Sequence, residues 1–257
     1  MKKILYIIVI LFFFALLLKG CLKQDMGYDD TPRFSDARPL DVIEYNFAPF
    51  ETKTIDGVDY LVARGEVGKF GGDFVTSTIG EGPKTFNPFN TNDATSAQMA
   101  GLMYDGLLST DAFTGEVTPR MAKRIEILPD NLTYIVELRH GLKWSDGREI
   151  TADDVVFTYN DIVFAGYGDT STRDMLYVEG KLPTVEKLDK YTIKFKTPVP
   201  FAPFLRNLSM SIAPKHIFKP AVDKGKEYFR SFYSTTTKPS DFIVSGAFKL
   251  KEYIPDQ

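Results

Sequence analysis

The sequence predicts a mixed α/β fold (α/β or α+β), and three observations predict it. Leu132, Tyr134, Val136 and Leu138 alternate with Thr133, Ile135, Glu137 and Arg139, the period of a half-buried strand. Val155, Val156, Tyr159, Ile162 and Val163 recur at helical spacing. Strand-like and helix-like segments then follow one another without a repeat of fixed period.

Taken in chain order, the first element is an address. Lys2 and Lys3 precede an unbroken apolar run, Ile4 to Leu18, of 15 residues. As a helix it would reach roughly 22 Å, short of the roughly 30 Å hydrocarbon core, so it reads as a secretory signal over residues 1–20. The run ends in Leu18-Lys19-Gly20-Cys21, which resembles the bacterial lipobox; Lys19 departs from it, since a small or apolar residue normally stands there. Cys21 is the single cysteine of the chain, which excludes an intrachain disulfide and a cysteine-based zinc site. It is the expected lipidation site, tying an exported protein to the membrane surface; the other reading is an uncleaved anchor helix with an incidental cysteine. Residues 21–70, with Asp29-Asp30, Pro32, Pro39 and Pro49, read as a lipidated tether and an irregular segment that packs on the main body.

From Gly71-Gly72 the pattern becomes globular. Phe74 and Val75 are expected to start a short strand, and Pro83, Asn87-Pro88 and Asn90 mark a turn-rich loop. Met99, Leu102, Met103 and Leu107 predict a helix over 96–108. Asp146-Gly147 predicts a tight turn. Thr151 with Asp154 predicts an N-cap followed by a first-turn carboxylate, and Gly166 and Gly168 close that helix. Tyr191, Ile193 and Phe195 predict another strand, and Phe248 and Leu250 a last one.

Catalytic patterns are missing from the sequence. His140 and His216 lie near no Gly-x-Ser-x-Gly elbow, and no His-Glu-x-x-His helix, phosphate loop or dinucleotide fingerprint occurs. Asp153-Asp154 reads as a helix start and Asp29-Asp30 as part of a solvated tether rather than as paired acids. An exported hydrolase therefore lacks a nucleophile and base, and no cofactor or metal is expected. With 31 basic and 34 acidic residues, the net charge of −3 argues against a nucleic-acid partner.

The run from Leu138-Arg139 through Trp144-Ser145-Asp146-Gly147 to Thr151-Ala152-Asp153-Asp154-Val155 resembles the signature of the family 5 extracellular solute-binding proteins, which serve oligopeptide, dipeptide and nickel importers. Thr85-Phe86-Asn87-Pro88, Tyr104-Asp105-Gly106-Leu107-Leu108, Val185–Phe195 as a domain-crossing strand and Ser245-Gly246-Ala247-Phe248 resemble further family motifs, in order. Departures are Met121-Ala122-Lys123-Arg124-Ile125, without the usual tryptophan, and Ser245 in place of Asn or Thr.

The resemblance implies a periplasmic-binding-protein-like lobe with an inserted smaller domain. Residues 71–87 and 186–257 would be parts of domain I and 88–185 domain II, while the second lobe would lie beyond Gln257 and be absent. It implies a monomer that binds a peptide or other small solute, works with ABC permease subunits and performs no catalysis. Peptide is the default ligand; oligosaccharide, nickel and a nonfunctional truncated remnant are the alternatives. Expected ligand contacts are Thr78, Ile79, Asn92, Tyr167 and Ser245. For Ile79 and Tyr167 the other reading is core packing, and for Asn92 and Ser245 it is turn shaping.

Overall fold

The computed structural model describes residues 43–45, 47, 52–55, 58–62, 71–73, 75–78 and 81–255. The signal run, Cys21, Phe74 and Ile79 lie outside the described residues. In chain order the elements are β1 (Ile43–Glu44), β2 (Thr52–Ile55), β3 (Val58–Leu61), α1 (Ala94–Met103), β4 (Leu108–Thr110), β5 (Val117–Pro119), β6 (Ala122–Ile127) and β7 (Thr133–Leu138). There follow α2 (Ala152–Phe157), which runs on as a π-helix (Thr158–Val163), then α3 (Ser171–Leu176), β8 (Thr184–Lys187), β9 (Thr192–Lys196), α4 (Phe204–Asn207), α5 (Lys215–Asp223) and α6 (Lys226–Ser231). A 3₁₀ turn at Pro239–Asp241 precedes the irregular end. Among the described residues no helix is long and apolar enough to cross a membrane.

Five strands form one antiparallel sheet in the order β1-β6-β7-β9-β8. Its centre is the expected strand β7, whose Tyr134, Val136 and Leu138 are buried beside Ile193 and Phe195 of β9. Burying each such side chain contributes about 1.5–3 kcal/mol. The segment expected to be irregular before residue 70 thus holds three strands among its described residues, β1 in this sheet and the antiparallel pair β2–β3, and Tyr45 and Phe47 pack against this core.

Strand β6 was not legible as a strand because a bulge between Ala122 and Arg124 shifts its register. Ala122 and Ile125 are both buried although three residues apart, which hides the period of two. The segment Val185–Phe195, expected as one crossing strand, is instead the hairpin β8–β9. Asp189 turns it, accepting the N–H groups of Tyr191 (2.8 Å) and Thr192 (2.9 Å). This hairpin straddles the domain boundary expected at 185/186, and both of its strands belong to the sheet built by β6 and β7.

Two other expectations fail for want of a partner strand. The described residues 75–78 form no strand, and Val75 is 89% exposed. Residues 248–250 form no strand either. The N–H groups of Ser245, Gly246 and Phe248 turn instead to the last carbonyls of α1, at Met103 (3.2 and 2.8 Å) and Leu102 (3.2 Å). A helix end needs such donors, and here a distant segment supplies them. Helix α1 accordingly stops at Met103, short of the expected Leu108, with Asp93 as its N-cap accepting from Ser96 at 2.8 Å.

The capped helix is as expected at its start: the Asp154 carboxylate accepts the Thr151 N–H at 2.9 Å. Its second half widens. Phe164 and Tyr167 donate five residues back, to Tyr159 (2.8 Å) and Ile162 (2.9 Å). Thr158 Oγ1 donates to the Asp154 carbonyl (2.7 Å) and accepts the Ala213 N–H (2.9 Å), a back-bond of the kind that distorts helices. The expected apolar stripe is thereby shared between two cores. Val155 and Tyr159 face the sheet core; Phe157, Ile162 and Val163 join an aromatic core with Phe86, Phe218 and Phe229.

Candidate functional site

The expected site residue with a cavity beside it is Tyr167. It lines a pocket of about 60 Å³ together with Phe89, Thr91, Asp169, Ser171 and Ser211. Three features build this pocket. The Asn-Pro loop is fixed from within: Asn87 Oδ1 accepts the Phe89 N–H (3.0 Å), and Asn87 and Asn90 both donate to the Phe229 carbonyl (3.3 and 3.0 Å). The Tyr167 hydroxyl donates to the Val222 carbonyl at 3.0 Å, and its ring packs edge-on against Phe229.

The third feature is Gly168, at φ +71°, which lets the chain pass against the loop so that Asp169 N–H reaches the Phe89 carbonyl at 2.7 Å. A β-carbon there would stand 2.1 Å from that carbonyl oxygen.

The other expected contacts are not gathered here. Thr78 and Asn92 are exposed. Ile79 and Cys21 lie outside the described residues. Ser245 is engaged at the end of α1: its Oγ accepts the Asp105 N–H at 3.0 Å. Gly246 lies so close to that helix end that a β-carbon would come within 2.5 Å of the Leu102 carbonyl. Thr91, Asp169, Ser171 and Ser211 were not named from the sequence; short polar residues in turns carry no pattern that distinguishes a pocket wall from an ordinary loop.

Charges near these motifs are tuned by burial and hydrogen bonds. Burial raises the Asp105 carboxyl above its usual value, against the Arg120 guanidinium 4.0 Å away. Burial likewise raises Asp154, although the N–H groups of Thr151 and Lys215 favour its charge. Raised carboxyls bind protons more readily folded than unfolded, so both residues cost stability as pH rises above the ordinary carboxylate range. At Asp146 burial opposes ionisation, yet the Arg148 N–H and His216 hold the carboxyl below its usual value. Asp146 therefore contributes stability above the ordinary carboxylate range, lost as pH falls through its depressed value. His216 Nε2 lies 2.8 Å from Asp146 Oδ2, and His140 stacks on Tyr191, so both histidines have structural partners.

The signature run is used for docking. Ser145 N–H donates to the Val244 carbonyl (2.9 Å), and Val244 N–H donates to Ser145 Oγ (3.1 Å). Trp144 and Arg139 are buried, the latter donating from Nε to the Arg120 carbonyl at 2.9 Å.

The profile of the bacterial extracellular solute-binding proteins, family 5 (middle region), matches residues 116–257. The oligopeptide-binding protein AppA of Bacillus subtilis (strain 168) is 36% identical over 189 residues, covering 71% of this chain and 32% of AppA. The dipeptide-binding protein of Escherichia coli (strain K12) is 32% identical over 196 residues, covering 70% of this chain and 34% of that protein. The solved structure of Bacillus subtilis AppA in complex with a nonapeptide matches with a TM-score of 0.55 at 33% identity, over 70% of this chain and 34% of that one. The chain thus spans about a third of the length of these relatives.

Proposed function

The chain belongs to the bacterial extracellular solute-binding proteins of family 5, and from that we propose that it contributes one wall of a cleft that captures oligopeptides or dipeptides for an ABC importer. The observation that carries this reading is the match to AppA, whose solved structure holds a nonapeptide. Members of the family are binding proteins, and catalysis forms no part of the proposal. Export and attachment through an acylated Cys21, a monomeric state and docking to permease subunits complete the reading; the support for the anchor is the placement of the single cysteine after an apolar run. Residues 71–87 and about 186–257 would form one body and 88–185 the inserted one, with the β8–β9 hairpin at the crossing.

On this reading Tyr167 and the 88–91 loop face the ligand, with Thr78, Ile79, Asn92 and Ser245 as further contacts. Tyr167 supports this best, since it lines a pocket. Ser245 would act through the turn it shapes, because its hydroxyl already accepts from Asp105.

A pocket of about 60 Å³ is far smaller than the ~300–1,000 Å³ of ordinary ligand sites, so this wall by itself leaves most of a peptide in water. Calorimetry of residues 22–257 with a nonapeptide is expected to show no affinity tighter than ~100 μM. A micromolar dissociation constant would mean that these residues form a complete site and would sink the one-wall reading.

A further inference from the structure

The geometry points to a second small-molecule site, for an organic cation of the alkylated-ammonium class, in the pocket of about 320 Å³ lined by Ile217, Tyr228, Phe232, Tyr233, Thr237 and Asp241. It shares no lining residue with the pocket beside Tyr167 and does not rest on the peptide reading.

Two features of the backbone bring the rings together. Tyr228 lies on α6 and Phe232 just past its end, four residues on, so their rings stand on one face, 6.3 Å apart. Adjacent residues in an extended chain point to opposite sides, yet Phe232 and Tyr233 stack with centroids 4.4 Å apart. Tyr233 achieves this at φ +58°, a left-handed conformation that costs a non-glycine residue about 1–2 kcal/mol. The surroundings hold it there. Its hydroxyl donates to the Asp241 carbonyl (3.0 Å) and accepts the Ile243 N–H (3.1 Å), and its own carbonyl accepts the Phe86 N–H (2.9 Å). Strain of this sort, held by several bonds, recurs at ligand sites.

The chemistry of the lining selects the ligand. Lys224 Nζ sits 4.3 Å from the Tyr228 ring centroid, so this ring takes an ammonium, and a bound cation must displace the mobile lysine tip from it. Asp241 is exposed, and among the described residues its carboxylate takes part in no ion pair; Oδ1 accepts only from Ser240, at 3.0 Å. A carboxylate without a counter-ion beside aromatic faces attracts a cation and repels an anion. The rings reward apolar surface around that charge, which a metal ion lacks and a methylated ammonium has. The volume falls at the low end of the ~300–1,000 Å³ range of small-ligand sites, matching a ligand of headgroup size.

The test titrates the chain with choline and, separately, with its neutral isostere 3,3-dimethylbutan-1-ol, following amide signals by NMR. Choline is expected to saturate and to bind at least ~10-fold more tightly than the isostere. Asp241→Asn and Tyr228→Leu, both at exposed positions, are each expected to weaken choline by ~5-fold or more while the melting temperature stays that of the unmodified chain. Equal affinity for choline and the isostere would overturn the site, as would undiminished choline binding in both variants. So would the absence of saturation up to ~50 mM choline.

Discussion

Gly106→Ala is expected to destabilise the fold by about 3 kcal/mol or more, which for a body of this size lowers the melting temperature by roughly 6–12 °C. A β-carbon at Gly106 would stand 2.5 Å from the Ser209 carbonyl oxygen and 2.6 Å from that of Met210. These are backbone atoms, which cannot swing aside as a lysine tip can. Gly106 also sits where the two cores meet, between Tyr104 of the aromatic core and Leu107 of the sheet core. It bridges to Ser211, and its carbonyl accepts the Met121 N–H at 3.3 Å. Displacing it therefore disturbs both cores. Gly101→Ala is the matching control: Gly101 lies inside α1 with nothing within 4 Å, so this variant should gain about 0.5–1 kcal/mol from helix propensity. Thermal or urea melts of the two variants should move in opposite directions, and a Gly106→Ala protein as stable as the parent would refute the close approach.

Gly168→Ala should produce the second large loss, again about 3 kcal/mol, from two causes that can be separated. One is the left-handed backbone at φ +71°, worth about 1–2 kcal/mol to any residue with a β-carbon. The other is the 2.1 Å approach to the Phe89 carbonyl, relieved only by moving the loop that forms the pocket wall. Gly166→Ala isolates the first cause. Gly166 has nearly the same φ, +70°, but its nearest atom is the Lys226 Nζ at 3.4 Å, the mobile end of a side chain. Urea unfolding should therefore give Gly168→Ala a loss at least ~1 kcal/mol larger than Gly166→Ala. Equal losses would show that the 88–91 loop is not held against residue 168.

These glycines mark the difference between what local sequence reveals and what needs the fold. Gly166 and Gly168 were expected to close a helix, and a positive φ at each agrees with that. Nothing local says that one of them carries a loop from nearly 80 residues earlier. The clean alternation of β7, the Asp146-Gly147 turn and the Thr151–Asp154 cap were legible because each depends on neighbours in sequence. Strand β6 was not, since its bulge is a property of pairing with β7. Residues 75–78 and 248–250 have strand-like composition, but a strand needs an edge to join, and only the fold shows whether one is offered.

The candidate site divides in the same way. Resemblance names Tyr167 as a candidate, and the fold sets it beside Thr91, Asp169 and Ser211, hydroxyls and a carboxylate that turns could equally have supplied for their own sake. Ser245 had two readings, contact or turn shaping, and its bond to Asp105 favours the second. The aromatic row of Tyr228, Phe232 and Tyr233 gave no signal at all, because it depends on a left-handed residue where the sequence has a tyrosine.

Amide-shift mapping of residues 22–257 with a nonapeptide tests most directly whether this chain supplies one wall of a peptide cleft. In fast exchange at millimolar peptide, shifts should concentrate at Thr91, Tyr167, Asp169 and Ser211, the residues around the Tyr167 pocket. No perturbation there at ~10 mM peptide, or perturbation confined to other faces such as the β8 edge, would contradict it.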